Sequence, residues 1–281
     1  MLRTCLTVFL LFFYGAFCVA QSGITRPNII VVLADDLGWG DVGFNGQQRI
    51  ETPHLDSMAN DGMVFERCYA GSSVCAPSRA VLLTGIHTGH AHVRGLPGWA
   101  KSGYIDLSDE EVTFGEELKR IGYKTGVIGK WGLDEGGGTG MANNQGFDYF
   151  FGFKTHKEAH HYYPTYFWEN EKKVPYPDNR TAEKIGLYSN DIFTEKAIQF
   201  IREHHDEPFL LYLPYTIPHY ELTVPSESKV RYDTLGWPQR SMEKSHYHHD
   251  DEANVTYAAM ISRLDGYIGT IRSELRKLGI A

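Results

Sequence analysis

Pro27-Asn28-Ile29-Ile30-Val31-Val32-Leu33-Ala34-Asp35-Asp36 decides the fold. Six consecutive apolar residues, four of them β-branched, carry no polar alternation, which is the pattern of a strand buried on both faces of a parallel sheet. The strand ends abruptly in two carboxylates. In open α/β sheets ligands collect outside the carboxyl ends of the strands, so the ends of this strand and its parallel neighbours are where chemistry is sought first.

Two more strands of the same kind follow, at Lys124–Ile128 and Phe209–Leu213. The first delivers Gly129-Lys130-Trp131-Gly132 to its carboxyl end, and His219 lies just beyond the second. Helices separate them. One is expected over Leu55–Asp61, with a short strand at Met63–Tyr69 after it, and another over Pro77–Leu83, where proline suits the first helical position. Thr113-Phe114-Gly115-Glu116 has capping-box spacing, and Gly122 is placed to end the helix it opens. Ser189 is read as the cap of a helix whose apolar face holds Ile192, Phe193, Ala197, Phe200 and Ile201. From about Asp251, residues Ile261, Leu264, Ile268, Ile271, Leu275 and Leu278 recur at steps of three and four, an amphipathic helix ended by Gly279. Gly136–Gly140 and His156–Trp168 read as long loops over the sheet edge, the usual source of substrate walls.

The composition sets limits. Lys and Arg total 27 against 35 Asp and Glu, a net charge of −8, which argues against a nucleic acid partner but leaves a small anionic substrate open. Residues 1–20 read as a signal peptide: Arg3, an apolar run from Leu6 to Phe17, then small residues before Gln21. No later segment approaches the ~20 apolar residues of a transmembrane helix, so an exported chain without a transmembrane anchor is expected. Export also sets the reading of cysteine. Beyond the signal only Cys68 and Cys75 remain, enough for one small loop and too few for a disulfide framework.

Cys75-Ala76-Pro77-Ser78-Arg79 opens an apolar helix, where a cysteine is placed to react. Paired aspartates at a strand end, Asp35 and Asp36, concentrate negative charge that a hard divalent cation would offset; a turn cap with one solvated carboxylate is the simpler alternative. His246–Asp251 reads as a solvated loop. Asn179-Arg180-Thr181 and Asn254-Val255-Thr256 are glycosylation triplets, and Tyr162, Tyr163, Tyr166 and Trp168 could stack on sugar rings or pack at the rim.

Asn28–Gly43, Cys75–Gly85 and the run Gly122–Trp131 together resemble the type I sulfatases of the alkaline-phosphatase-like superfamily, of the arylsulfatase and N-acetylgalactosamine-6-sulfatase kind. The resemblance implies an α/β sandwich with a mostly parallel central sheet flanked by helices. It implies hydrolysis of a sulfate ester of a carbohydrate or aryl group. Cys75 would be converted by a formylglycine-generating enzyme to 3-oxoalanine (formylglycine), whose hydrated aldehyde attacks sulfur and later releases sulfate. It further implies one Ca2+ held by Asp35, Asp36 and the modified Cys75, and catalytic roles for Cys75, Arg79, Lys130 and His219. The location implied is periplasmic, extracellular or lysosomal.

Two departures stand out. The family often carries histidine two places after the motif lysine, and here that place is Gly132, with His90, His160 and His161 as candidate substitutes. The second pair of calcium ligands, a second lysine and the C-terminal strands and subdomain have no counterpart. Residues 21–281 are therefore expected to be the N-terminal portion of a sulfatase catalytic domain, retaining calcium poorly and turning over little. Two other readings remain: a phosphatase or phosphodiesterase of the same superfamily, which would normally use threonine or serine where Cys75 stands, and an inactive fragment that only binds sulfated glycans.

Overall fold

A computed structural model describes residues 26–96, 106–135, 138–242, 247 and 250–281. The expected signal peptide, Gly136 and His246 lie outside the described residues.

Six strands form one sheet in the order β1-β6-β2-β3-β4-β5. They are β1 (Ile29–Leu33), β2 (Lys124–Lys130), β3 (Tyr149–Phe153), β4 (Tyr166–Glu169), β5 (Lys172–Pro175) and β6 (Phe209–Pro214). β1, β6, β2 and β3 run parallel, and β4 and β5 continue the sheet as an antiparallel hairpin. The mostly parallel α/β layout expected from the sequence is therefore present. The helices are α1 (Pro53–Asp61), α2 (Cys75–Thr84), α3 (Phe114–Arg120), α4 (Ser189–His204), α5 (Val230–Asp233) and α6 (Ala253–Leu278).

Alternation along the central strands splits the core into two layers. Phe209, Leu211 and Leu213 of β6 face one hydrophobic cluster with Phe193, Ala197 and Phe200 of α4 and Ala258, Leu264 and Ile271 of α6. Leu210 and Tyr212 face the other, with Ala76, Ala80 and Leu83 of α2. Successive side chains on a strand point to opposite faces, so a wholly apolar strand requires helices on both sides. Every residue of β6 is buried accordingly. Each large apolar side chain buried this way contributes on the order of 2 kcal/mol.

Several elements differ from the sequence reading. β1 is only partly buried and Val32 is 39% exposed, because β1 pairs with β6 alone among the described strands. Met63–Tyr69 forms no strand; Met63, Phe65 and Tyr69 are exposed, and without a partner for its backbone groups an apolar run gains nothing by extending. α2 begins at Cys75, which places Pro77 in the first turn, where no N–H is needed. Tyr188, and not Ser189, is the N-cap of α4; Ser189 is buried and its amide donates to the Tyr162 carbonyl at 2.8 Å. β2 extends to Lys130. The stretch read as one loop from His156 to Trp168 contains a 3-10 turn, Glu158–His160, and part of β4.

Other expectations hold. Thr113 and Glu116 exchange both capping-box bonds, and Gly122 follows α3 with φ of 90°. The apolar face assigned to α4 is buried, and α6 ends at Gly279. Cys68 and Cys75 are unpaired. Asn179 is buried, its amide donating to the carbonyls of Pro164 and Leu187, so the first glycosylation triplet is folded inward.

Gly129 and Gly152 are register partners on β2 and β3, with φ of 136° and 147°. A Cβ on Gly152 would strike the Gly129 backbone, and one on Gly129 would strike the Pro214 carbonyl. Three strand ends thus close up directly below Lys130.

Candidate active site

Asp35 is the second residue past the end of β1, and its amide donates to Ile217 O at 3.1 Å. Lys130 is the last residue of β2 and Arg79 lies one turn into α2. These three meet: Lys130 Nζ donates to Asp35 Oδ2 at 2.6 Å, and Arg79 Nη2 stands 3.2 Å from Asp35 Oδ1. Arg79 also donates from Nη1 to the Lys130 carbonyl at 2.7 Å. All three side chains are essentially buried, at 5% exposure or less. Burial by itself pushes the Asp35 carboxyl up, and the Lys130 and Arg79 charges overcome it and hold the carboxyl well below the ordinary range. Two cations against one carboxylate leave surplus positive charge at the strand ends, which suits an anion.

Cys75 is the first residue of α2 and is partly exposed, with Val74 as N-cap in extended conformation. The helix therefore aims its unsatisfied first-turn N–H groups, and the positive end of its dipole, to the side where Cys75 lies. Asp36 takes a left-handed backbone conformation, φ of 66°, and its side chain is 62% exposed. This reversal turns consecutive carboxylates to opposite surroundings, one into the cationic pair and one toward His219, whose Nε2 lies 3.6 Å from Asp36 Oδ2.

His219 sits on a buried loop after β6. Tyr162 Oη contacts both the Thr216 carbonyl at 3.0 Å and the His219 carbonyl at 2.7 Å, and Asn190 Nδ2 donates to Thr216 Oγ1 at 2.9 Å. Sequence patterning did not single out Thr216 or Asn190, and it left Tyr162 and Tyr163 between sugar stacking and packing at the rim, whereas both are buried. Burial, and then the Lys130 charge, lower the proton affinity of His219, with Asp35 and Asp36 opposing. His160 stacks on its ring, with centroids 5.3 Å apart and planes 13° apart, and Tyr247 tilts against His160 at 5.2 Å. The segment read as solvated thus contributes one ring to the site.

The other candidate histidines lie elsewhere or are engaged. His90 borders a surface groove with Ile86, Arg94 and Ser108, away from the strand ends. His161 Nδ1 is 3.2 Å from Glu221 Oε2. Tyr166 and Trp168 are partly exposed on β4; Lys173 Nζ lies 4.0 Å from the Tyr166 ring centroid and Lys154 Nζ 3.9 Å from that of Trp168.

Among the described residues no group of three His, Cys, Asp or Glu side chains gathers closely enough to hold a metal ion. The expected set of Asp35, Asp36 and Cys75 is therefore not assembled as one cluster: both Asp35 oxygens face cations, and Asp36 turns outward. The two carboxylates have the hard oxygen donors calcium takes; the soft Cys75 thiol does not, until its sulfur is replaced by oxygen.

A protein-family model described as Sulfatase matches residues 27–281. The chain belongs to the sulfatase family. Among its relatives, arylsulfatase G of Mus musculus is 31% identical over 94% of this chain and 51% of its own length. N-acetylgalactosamine-6-sulfatase of Mus musculus is 30% identical over 94% of this chain and 49% of its own length. This sulfatase-family chain thus spans about half the length of the curated relatives it matches. Among solved structures, Ps i-CgsB in complex with k-i-k-neocarrahexaose superposes with a TM-score of 0.75 at 26% identity, covering 91% of this chain and 56% of that one. No helix among the described residues is long and apolar enough to cross a membrane.

Proposed function

We propose that this chain carries the sulfate-binding and nucleophile-bearing part of an enzyme that hydrolyses sulfate esters, with a sulfated carbohydrate or aryl sulfate as substrate. One observation carries the reading: Cys75 opens α2 while Arg79, a turn later, joins Lys130 on Asp35 in a buried cluster with surplus positive charge. The names of the relatives support the substrate class, and the oligosaccharide held by the Ps i-CgsB structure points the same way.

In this reading the sulfate group sits between Lys130 and the N-terminus of α2. Lys130 spends one of its three N–H donors on Asp35 and offers the others to a non-bridging oxygen. Arg79 lies beneath, fixing Asp35 and the end of β2, so the donors are in place before charge moves and no reorganisation is needed. His219, bounded by Asp36 and held by Tyr162, gives a proton to the leaving alcohol oxygen; its buried, cation-facing position makes its imidazolium a stronger acid. The formylglycine proposed at Cys75 would supply a hydrated aldehyde as nucleophile, installed by a formylglycine-generating enzyme. Asp35 and Asp36 would offer a calcium ion hard oxygen donors, although they do not form a ready-made cluster, and the ion would supply Lewis acidity toward the sulfate. An exported location, periplasmic, extracellular or lysosomal, accompanies this proposal.

The test is release of inorganic sulfate from an aryl sulfate by protein matured with the formylglycine-generating enzyme and supplied with calcium. Cys75→Ala and Lys130→Ala are each expected to abolish it. Measurable turnover that Cys75→Ala retains in full refutes the reading.

A further inference from the structure

Gly132 stands against Arg79, Lys130 and His156. A point at the Cβ position it lacks is 3.8 Å from Arg79 Cδ, 3.9 Å from Lys130 Cε and 3.9 Å from His156 Cβ. His156 therefore borders, from the loop after β3, the very space that a side chain at position 132 would enter. Its imidazole is 14% exposed, and its Nδ1 lies 2.6 Å from Glu135 Oε1, although the angle is not that of a straight hydrogen bond. His156 also begins a row of rings: His160 meets it edge to face at 5.9 Å and then stacks on His219.

We propose that His156 is a further contact to the oxyanion bound by Lys130, donating from Nε2 with Nδ1 beside the Glu135 carboxylate. This rests on the sulfate-ester reading above. Both ring nitrogens donate only in the imidazolium form, so the proton arrives from solvent with the anion. Burial, then the charges of Lys130 and His219, lower the proton affinity of the ring, while burial raises the Glu135 carboxyl, with the carboxylates of Asp106, Glu158 and Asp134 adding to the rise and the His156 amide opposing it. An anion beside Lys130 offsets that positive field and draws the proton onto the ring.

The probe is inorganic sulfate, titrated into the 281-residue chain with 15N-labelled histidine. The His156 ring signals are expected to move toward imidazolium as sulfate binds. His156→Ala is expected to weaken sulfate binding about tenfold, the share of one charge-assisted hydrogen bond, and His156→Gln, which keeps one N–H donor, by about threefold at most. Lys130→Ala should bind no sulfate. If Lys130→Ala loses binding but the His156 signals stay still, or His156→Ala binds as the unmutated protein does, the role of His156 is overturned and the sulfate reading stands. Absence of sulfate binding by the unmutated chain overturns both. Should His156→Ala misfold by circular dichroism, the ring titration and His156→Gln decide.

Discussion

Lys130 Nζ and Asp35 Oδ2 lie 2.6 Å apart with side-chain exposures of 0% and 5%, joining the ends of two strands that are not adjacent in the sheet. β6 runs between them, and Arg79 reaches in from α2 to the same carboxylate. The bond, with Arg79, therefore ties three elements at the site proposed to bind the anion. Removing one partner of a buried pair leaves an uncompensated charge, which is far worse than lacking the pair. Lys130→Met should lower stability by about 2–3 kcal/mol, tempered by the remaining Arg79 contact. Urea unfolding checks this, and a midpoint equal to that of the unmutated protein would refute it.

Gly152→Ala should destabilise by more than the ~1 kcal/mol typical of point substitutions. Its new methyl group would meet the backbone of Gly129, at a φ that alanine rarely adopts. Thermal unfolding measures the loss, and Gly46→Ala serves as the control: its φ of 98° is also positive but open space surrounds it. The difference between the two isolates close packing of the strand ends from backbone preference.

Thr113 caps α3 by accepting from the Glu116 amide and donates its hydroxyl to the Gln145 carbonyl at 2.7 Å. Thr113→Ala loses both, for an expected cost of about 1–2 kcal/mol. Thr113→Ser keeps both groups and should recover most of that in chemical denaturation.

Asp148 should contribute to acid sensitivity. Burial raises its carboxyl, but Lys119 at 2.8 Å and the Thr125 amide and hydroxyl, both at 3.1 Å, outweigh it and lower its proton affinity. A carboxyl depressed on folding adds stability that is present above its unfolded value, about 3.9, and is lost as pH falls through the folded one. Asp148→Asn should therefore narrow the stability difference between neutral and acid pH. Urea midpoints across that range test it, and an unchanged difference would refute it.

What was legible in the sequence follows from where the information is local. β6 could be read because a strand covered on both faces must be apolar throughout, and α4 and α6 because burial of one face imprints a 3.6-residue period. β3, β4 and β5 were not read: the aromatic content of β3 and β4 serves equally for a strand and a rim, β5 is the short run Lys172-Lys173-Val174-Pro175 with a single partly buried side chain, and only pairing decides. Met63–Tyr69 failed for the converse reason, apolar residues without a partner strand. At the site, Asp35, Cys75, Arg79, Lys130 and His219 stood in recognisable runs. Asn190, Glu135 and His156 make their contacts there between distant segments, and no local pattern marks them; Tyr162 stood out only as one of several aromatics.

The most direct measurement of the central claim is the mass of the tryptic peptide containing Cys75 after co-expression with a formylglycine-generating enzyme. The account predicts a peptide lighter by the difference between a thiol and an aldehyde side chain, reactive toward a hydrazide and lost in Cys75→Ala. An unmodified thiol throughout, in a host that converts a known sulfatase in parallel, would contradict it.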